Sequence, residues 1–402
     1  MNQRNLNIMN VPFFRPCIGE EEKRAVLAVM DSGWLTTGKV THEFEAEFAA
    51  YVGAEHALAV NSNTSGMLLA MEACGVRAGT AVITTPYTFV STAASAIHLG
   101  ADVLFADTEA DSYSISADAV EELLAESAKN GRAVAAIVPV HIAGNLCDMG
   151  RLNALAEKYS TDKNRIRVIE DAAHSFPSRT ARGFAGTLGD VGVFSFYATK
   201  TMTTGEGGMV TTGDGALAAR MAQTRLHGMS RDAWDRYTSE KASWEYDIVA
   251  PGYKANLPDI LSAIGREQLK KAEGFFGSRR RIAQKYNEAF KGLDFVRLPP
   301  DGEGNAWHLY LLQLVPEKLT CGRNEFAREL QDAGVGVSMH FIAIYTFSWW
   351  RSAYPQCTPD KFPNAERQHR NTITLPLWPH MGEEMSDHVI RAVRAAGEKH
   401  HV

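Results

Sequence analysis

Between about residue 55 and residue 212, short apolar runs rich in β-branched residues alternate with stretches that have helical spacing. This alternation is typical of βα units around a mostly parallel sheet, because the helices cover the faces of the sheet that the strands build. The sequence therefore predicts an α/β fold with a large, mostly parallel, seven-stranded sheet. The candidate strands are residues 56–60, 81–85, 102–106, 135–140, 167–172, 191–196 and 208–212.

A chain of 402 residues exceeds what one hydrophobic core usually serves, so a large domain and a smaller one are expected. Residues 213–260 are polar and aromatic, and we expect them to be ordered but irregular. A long helical pattern follows, and after it the run HLYLLQLV and two helical patterns are typical of a small α+β domain. We therefore predict a large domain over residues 1–270 and a small C-terminal domain over residues 271–402.

Charge and cysteine usage restrict the class of ligand. The formal net charge of -6 argues against nucleic acid or an anionic membrane as the main partner. The five cysteines lack the close pairing of a metal or redox site, so no metal is expected. The N-terminus has no apolar signal region, and the longest apolar run, AVAAIVPV, is too short to span a bilayer. A cytoplasmic protein that binds small molecules is the expectation.

The most informative stretch for chemistry is SFYATKTMTTGEGGMV at residues 195–210, which contains Lys200. Most lysines are solvated surface charges, and that reading is the alternative here. Lys200, however, follows an apolar strand at the sheet edge where α/β proteins bind ligands, and the glycines beyond it permit close backbone approach. A partly desolvated lysine at such a place is suited to act as a Schiff-base nucleophile.

Asp171 closes the predicted strand RVIED and also lies at a sheet edge. Pyridoxal 5'-phosphate (PLP) needs a carboxylate of this kind, since the carboxylate keeps the pyridine nitrogen protonated and the ring able to accept electrons. The alternative is that Asp171 caps a following helix. Taken together with Lys200 on a neighbouring segment, Asp171 favours the cofactor role.

Two further segments suit the same cofactor. In VNSNTSGMLLAM a strand ends in hydroxyl residues and opens into a helix, so Thr64 and Ser65 are candidates to bind the phosphate, with Ser195 as a further ligand. An ordinary helix cap is the alternative for this segment. Phe89 follows a turn at a strand end and is a candidate to stack on the pyridine ring, although an isolated phenylalanine is more often a core residue.

The chain resembles the DegT/DnrJ/EryC1/StrS aminotransferases, which are PLP enzymes with the type I, aspartate aminotransferase-like fold. The likeness extends over almost the whole chain, and its motifs occur in the family's order. The motifs are SGWLTTG (32–38), NSNTSG (61–66), TPYTFVST (85–92), VIEDAAHS (168–175), SFYATKTMTTGEGG (195–208), RLHGMSRDAW (225–234), GYKANLPDILSAIG (252–265), WHLY (307–310) and ITLPLWPHM (373–381).

The resemblance implies a role for each matching residue around the cofactor. Lys200 would form the Schiff base with PLP, and Asp171 would pair with the pyridine nitrogen. His174 would lie at the phenolic oxygen, where members carry glutamine or histidine. The remaining cofactor contacts that the resemblance implies are Phe89 on the ring and Thr64, Ser65 and Ser195 on the phosphate.

The resemblance also implies contributions from elsewhere. Asn256 would reach the phosphate from the neighbouring subunit, which makes the protein a homodimer with shared active sites. The substrate contacts that it implies are Trp34, Thr36 and Thr37 in one loop and His340 and Phe341 in another. The chain departs from the family at Ala255, where members commonly have tyrosine, and at Ala343, where they have proline. Both departures lie near the expected substrate side.

The implied reaction is amino transfer from L-glutamate, through pyridoxamine 5'-phosphate (PMP), to a keto group of a nucleotide-linked sugar. The product would be an amino sugar for a surface polysaccharide or a glycosylated natural product. Lys200 favours transamination, because deoxygenating relatives replace this lysine with histidine. The alternatives are an aminotransferase for a cyclitol or another keto acceptor, a PLP-dependent dehydratase, and a catalytically quiet PLP-binding regulator. The last would need a DNA-binding extension that the sequence lacks.

Overall fold

The computed structural model describes residues 9–230 and 245–402, and its largest element is a seven-stranded sheet. All seven predicted strands are present at nearly the predicted bounds. They are β1 (His56–Val60), β2 (Thr80–Thr84), β3 (Asp102–Phe105), β4 (Ala133–Val138), β5 (Arg167–Asp171), β8 (Val191–Ser195) and β9 (Gly208–Thr212), while β6 (Arg179–Thr180) and β7 (Gly183–Phe184) form a separate antiparallel pair.

The large sheet has the strand order β1-β9-β8-β5-β4-β2-β3. Strands β8, β5, β4, β2 and β3 run parallel to one another, and β9 runs antiparallel to both of its neighbours, β1 and β8. The predicted α/β fold with a mostly parallel sheet is therefore confirmed. Because β5 and β8 are adjacent and parallel, their carboxyl ends at Asp171 and Ser195 lie at the same edge of the sheet.

The described helices cover both faces of this sheet and continue into the C-terminal part. They are α1 (Glu20–Ser32), α2 (Lys39–Val52), α3 (Asn63–Ala73), α4 (Val90–His98), α5 (Ala117–Lys129), α6 (Met149–Tyr159), α7 (Gly215–Thr224), α8 (Asp259–Lys270), α9 (Ala272–Phe290), α10 (Arg323–Asp332), α11 (Ser348–Ala353), α12 (Pro363–Asn371) and α13 (Glu383–His400).

Helix α7 corrects the prediction that the chain is irregular from residue 213 onward. The side chain of Asp214 accepts hydrogen bonds from the backbone N–H groups of Ala216 and Leu217 and so caps the helix. Leu217 and Met221 are buried in the same apolar cluster as the large sheet. The cap and this apolar face stabilise the helix. It was not predicted because the segment as a whole is polar. Residues 231–234 of the RLHGMSRDAW motif lie outside the described residues.

Helix α3 approaches the sheet closely because Gly66 faces it. A Cβ atom at Gly66 would lie 2.7 Å from Cγ1 of Val193, so a larger residue would push the helix away from the strands. This contact brings the N-terminus of α3 to the sheet edge where Asp171 lies. Asn63 at the start of the helix donates to the carbonyl oxygen of Val193 at 2.9 Å.

A second, antiparallel sheet follows the long helix α9. It consists of β10 (Val296–Arg297), β11 (Tyr310–Leu314) and β12 (Thr372–Leu375), and a second apolar cluster packs around it. This strand and helix content agrees with the expected small α+β domain. The boundary at residue 270 stays a prediction, and many contacts cross it. Val11, for example, pairs with Val335, and Trp350 packs against Phe105 of the large sheet.

In the part of the chain that the structure describes, no helix combines the length and apolar character needed to cross a bilayer. Within the same residues, no three potential metal ligands lie close enough together to hold an ion.

Candidate active site

A cavity of about 500 Å³ lies at the carboxyl ends of β5 and β8. It contains residues that are far apart in the sequence, because parallel neighbouring strands end at one edge of the sheet. Most of the predicted site residues line this cavity, namely Thr64, Phe89, Asp171, His174, Ser195, Lys200, His340 and Phe341.

Asp171 is buried at the floor of this cavity and is held by three donors. Its Oδ2 atom accepts a 2.7 Å hydrogen bond from the Thr92 hydroxyl, and its Oδ1 atom accepts from Ala173 N–H at 3.2 Å and from the Asn63 amide at 3.4 Å. Burial raises the pKa of Asp171, and the bonds from Thr92 and Ala173 oppose that effect. Residues 173–177 form turns, so Asp171 does not cap a helix.

Lys200 shares this environment but has no fixed partner. Burial lowers the pKa of Lys200 to about 8, and the charge of Asp171 acts in the opposite direction. Among the described residues, none forms a hydrogen bond or an ion pair with its Nζ atom. The amine is therefore available for a covalent bond to a carbonyl carbon, which is what a Schiff-base lysine requires.

His174 is held as a neutral imidazole above this pair. Burial lowers its pKa well below the ordinary value, and the charges of Lys200 and His340 act in the same direction. Its Nδ1 atom accepts a 3.4 Å hydrogen bond from Ala143 N–H, which leaves the proton on Nε2. Its ring stacks on Phe341 with centroids 5.4 Å apart.

His340 lies on the wall contributed by the C-terminal part of the chain. Burial lowers its pKa to about 4, and the charge of Lys200 contributes. Its Nδ1 atom is 3.0 Å from the Thr374 hydroxyl, and its ring stacks on Phe13 with centroids 5.7 Å apart. A neutral imidazole and two aromatic rings, those of Phe13 and Phe341, thus form this wall.

The N-terminus of α3 forms another wall and is suited to bind an anion. Thr64 lines the cavity beside Ser62, and Ser195 faces the same space from the end of β8. Ser65 is not among the residues that line the cavity, and its backbone N–H donates to the Ser62 hydroxyl at 3.1 Å. Phe89 lines the mouth with 60% of its surface exposed, so it is not a core residue.

The other predicted residues lie outside this cavity in the same chain. The Asn256 amide donates to the Thr37 hydroxyl at 2.6 Å, and the indole N–H of Trp34 donates to the carbonyl oxygen of Thr37 at 3.2 Å. The carbonyl oxygen of Thr36 accepts from Asp259 N–H at 3.2 Å. Thr37 and Asn256 line a separate hollow of about 250 Å³.

One carboxylate anchors this second group. Oδ1 of Asp259 accepts from Gly38 N–H at 2.7 Å and from Thr41 N–H at 3.0 Å, and it also accepts from the Thr41 hydroxyl at 2.6 Å. Asp259 therefore holds the loop before α2 against the start of α8. The loop that contains Trp34 and the loop that contains Asn256 form one hydrogen-bonded unit.

Sequence reasoning missed several residues that form or support the main cavity. His308 lines the cavity, and Thr92 bonds to Asp171 without lining it. They lie in the motifs WHLY and TPYTFVST, which were noted without a role for either side chain. A polar residue inside a recognised motif was the available signal. Phe13 had no such signal, because its place depends on Val11, which pairs with Val335 and brings the N-terminal segment over the cavity.

The chemistry of the main cavity fits PLP. A buried carboxylate suits a cationic ring nitrogen, an amine without a partner suits the aldehyde, and hydroxyl groups at a helix N-terminus suit a phosphate. An exposed aromatic ring at the mouth suits stacking on the pyridine. In the described part of the chain, these groups occur together in this cavity.

Comparison with known proteins agrees with this chemistry. The model of the DegT/DnrJ/EryC1/StrS aminotransferase family matches residues 16–394. The spore coat polysaccharide biosynthesis protein SpsC of Bacillus subtilis is 40% identical over 387 residues, which cover 96% of this chain and 96% of SpsC.

Solved structures with similar folds come from the same group of enzymes. A putative sugar aminotransferase from Streptococcus pneumoniae, in its PMP form, superposes with a TM-score of 0.88 at 28% identity, covering 97% of this chain and 100% of the other. PseC of Helicobacter pylori, an aminotransferase involved in the biosynthesis of pseudoaminic acid, gives a TM-score of 0.87 at 28% identity with the same coverage.

Proposed function

Because the chain belongs to the DegT/DnrJ/EryC1/StrS aminotransferase family, it is a PLP-dependent aminotransferase with the type I fold, and we propose that its substrates are L-glutamate and a nucleotide-linked keto sugar. The observation that carries the proposal is the single cavity in which the Lys200 amine and the Asp171 carboxylate face the N-terminus of α3. The product class that we propose is an amino sugar for a surface polysaccharide or a glycosylated natural product.

Lys200 and Asp171 each have a task in this proposal. Bound PLP supplies a ring that accepts the electron pair released when the donor's α-carbon loses a proton. Lys200 holds the cofactor and afterwards moves the proton at that carbon, and a pKa of about 8 leaves part of the amine neutral near neutral pH. Asp171 would hold the ring nitrogen.

The walls of the cavity would orient the cofactor. The neutral His174 would donate its Nε2 proton to the phenolic oxygen, because its Nδ1 is already engaged by Ala143 N–H. Thr64, Ser195 and the N-terminus of α3 would hold the phosphate. Phe89 would cover the ring at the mouth and exclude water from that face.

The sugar acceptor is proposed from the relatives and from the walls of the cavity. SpsC is a spore coat polysaccharide biosynthesis protein, and PseC is an aminotransferase involved in the biosynthesis of pseudoaminic acid. Phe13, Phe14 and Tyr197 line the cavity together with His340 and Phe341, so the acceptor would meet an aromatic surface suited to the apolar face of a sugar ring.

We further propose a homodimer with shared active sites. Asn256 and the Trp34–Thr37 loop lie outside the Lys200 cavity of their own chain, so they would complete the cavity of the partner subunit. Exposed apolar side chains at Leu27 and Met30 support an interface near this loop. The five cysteines are all free, which supports a reducing compartment and therefore our proposal of a cytoplasmic protein.

The absorbance spectrum of the purified protein, before and after L-glutamate, tests the donor half of the reaction. A yellow protein that bleaches to the PMP spectrum is expected, and Lys200→Ala should not respond in this way. A protein that PLP cannot reconstitute would contradict the proposal.

The acceptor half is tested by adding keto sugars linked to UDP, GDP or dTDP to the PMP form. Return of the yellow colour with a nucleotide-linked sugar is the expected result. Return only with a keto-cyclitol would identify the first alternative acceptor class. Loss of a hydroxyl group from the sugar without amination would identify a dehydratase.

A further inference from the structure

Tyr87 is a fully buried residue two positions before Phe89, and its hydroxyl reaches a wall of the main cavity. The hydroxyl donates a 2.5 Å hydrogen bond to the carbonyl oxygen of His340. Among the described residues, no other donor to this oxygen is found. Burial raises the pKa of Tyr87, so the hydroxyl keeps its proton and acts as a donor. The carbonyl oxygen of His340 therefore has its partner in the turn that follows β2.

The ring of Tyr87 is held by two other rings. It stacks on Tyr113 with centroids 5.5 Å apart, and it makes an edge contact with Phe341 with centroids 6.3 Å apart. A phenylalanine could make both of these ring contacts, so the packing alone does not require a hydroxyl. A buried hydroxyl is costly unless it forms a hydrogen bond, and here it bonds to the backbone of His340. The hydroxyl is therefore explained by the cavity wall and not by the ring packing.

A second hydrogen bond joins the same two segments of the chain. The backbone N–H of Ile344 donates to the carbonyl oxygen of Pro86 at 2.9 Å. One bond thus precedes Phe341 in the sequence and the other follows it, since Tyr87 binds residue 340 and Pro86 binds residue 344. Together the two bonds fix the position of the Phe341 ring relative to the turn after β2.

Phe341 carries the effect of Tyr87 into the cavity. Its ring lines the cavity and stacks on His174 with centroids 5.4 Å apart, and His340 lines the same wall. Phe89 lies at the mouth of the cavity, on the turn that contains Tyr87. The Tyr87 hydroxyl therefore links the segment that carries the ring at the mouth to the segment that forms the aromatic wall. Both surfaces line one cavity, so this bond sets the space between them.

We propose that Tyr87 is a positioning residue that sets the specificity for the keto acceptor. This inference rests on the proposed function, in which the ring of the acceptor packs on the aromatic wall. L-Glutamate is a flexible chain without a ring face, so its binding depends less on the position of Phe341. Without the hydroxyl, the carbonyl oxygen of His340 would lack its partner, and the wall would move towards another donor.

Tyr87→Phe tests the proposal, because it removes one oxygen atom and keeps both ring contacts. The PMP form is mixed with keto sugars linked to UDP, GDP or dTDP, or with a keto-cyclitol, and the return of the yellow absorbance is followed over one turnover. The acceptor concentration at half-maximal rate should rise by about 10-fold, as expected when a buried oxygen loses its donor. The rate of the glutamate half-reaction should stay within about 3-fold of wild type.

Tyr113→Phe is the matched control for this change. Tyr113 is buried in the same stack, but its hydroxyl lies 3.2 Å from the Thr372 hydroxyl and not at the cavity wall. The control should keep the acceptor dependence of wild type, even if it lowers the midpoint of thermal unfolding as much as Tyr87→Phe does. An equal loss of acceptor affinity in both variants would overturn the proposal, because it would indicate a general loosening of the stack.

Phe341→Leu shows whether Tyr87 acts through the aromatic wall, and it tests that wall even if Tyr87→Phe does not fold. On its own it should weaken the acceptor more than L-glutamate. In the Phe341→Leu background, adding Tyr87→Phe should change the acceptor dependence by less than about 2-fold, because coupled residues do not have additive effects. Full additivity, or an unchanged acceptor dependence in Phe341→Leu, would overturn the proposal.

The two halves of the reaction separate positioning of the acceptor from general damage. Unchanged acceptor dependence in Tyr87→Phe would contradict the proposal, and so would equal losses in the glutamate and acceptor halves. A wild-type enzyme that bleaches with L-glutamate but reacts with none of the keto acceptors would instead refute the proposed acceptor, and the role of Tyr87 with it. That failure would already be present in wild type, so it is distinguishable from a failure of Tyr87 alone.

Discussion

The Thr92 hydroxyl donates a 2.7 Å hydrogen bond to Oδ2 of Asp171, and Thr88 places its own hydroxyl 3.1 Å from that of Thr92. All three side chains are buried. The bond stabilises the ionised form of Asp171 against the burial that raises its pKa. Thr92 is therefore a positioning residue for the carboxylate that would pair with the cofactor's ring nitrogen.

Replacing Thr92 with valine should impair the enzyme without changing the shape of the cavity. Loss of a hydrogen bond to a charged group corresponds to about 1.5–3 kcal/mol, or roughly 10- to 100-fold, in the rate of the glutamate half-reaction. Stopped-flow absorbance measures this rate. Thr92→Ser keeps the hydroxyl and should stay close to wild type, and a valine variant as fast as the serine variant would argue against the role of this bond.

The pKa of Lys200, lowered to about 8 by burial, predicts the pH at which the cofactor-free protein becomes reactive. Acetylation of Lys200 by acetic anhydride, followed by mass spectrometry, should rise with a midpoint near pH 8. Asp171→Asn should move this midpoint to lower pH, because the carboxylate raises the pKa of the amine. A midpoint near about 10.4, typical of an exposed lysine, would contradict the described environment.

Lys200 and Asp171 were predicted from the sequence, whereas Thr92 was not. The β-branched runs predicted all seven strands of the large sheet, and residues at strand ends predicted Lys200 and Asp171 in one cavity. Thr92 was not predicted, because a threonine inside a helix gives no sign of the carboxylate that it contacts 79 residues later. Helix α7 was missed because the segment is polar overall, and the helix cap that Asp214 provides was not recognised in the sequence.

Glu45 and Arg225 form a buried ion pair that joins α2 to the segment after α7. Burial alone would raise the pKa of Glu45, but Arg225, His42 and the N–H of Ala59 hold it below its ordinary value. Glu45→Gln leaves the Arg225 charge buried without its partner. We expect a loss of about 3–5 kcal/mol in the free energy of unfolding at neutral pH.

The sign of the pH effect follows from the lowered pKa of Glu45. Its contribution is fully present above the unfolded value of about 4.3 and is lost as the pH falls through the lower folded value. Thermal unfolding of wild type and Glu45→Gln should therefore differ most near pH 7 and converge as the pH falls through the folded pKa, which lies below the unfolded value of about 4.3. A constant difference across this range would exclude the carboxylate charge as its cause.

Mixing two inactive variants tests the proposed sharing of active sites. Lys200→Ala and Asn256→Ala should each be inactive as homodimers, since one lacks the amine and the other the residue that would complete the partner's cavity. After subunit exchange, hybrid dimers would contain one intact site, and about a quarter of wild-type activity should return with random pairing. If Asn256 served the cavity of its own chain, mixing would restore nothing.

The second group of residues shows where prediction from sequence stops. The resemblance implied that Asn256 and the loop from Trp34 to Thr37 serve the active site, but it gave no sign that they bond to each other. Asp259, which anchors that loop, was missed because its partners Gly38 and Thr41 are more than 200 positions away. Contacts between residues so far apart in the sequence depend on the whole fold, and no local sequence pattern predicts them.

Ala143 has a left-handed backbone, with φ of 60°, and it bonds to two residues of the cavity: its N–H donates to Nδ1 of His174, and its carbonyl oxygen accepts from the backbone N–H of His308. In evolutionary terms, this couples position 143 to the side chain at position 174 but only to the backbone at position 308. A residue at position 174 that offers no acceptor would leave Ala143 N–H without its partner, whereas a substitution at position 308 leaves the backbone bond in place. Descendants are therefore expected to retain an acceptor at position 174, while the bond to Ala143 places no such demand on the side chain at position 308.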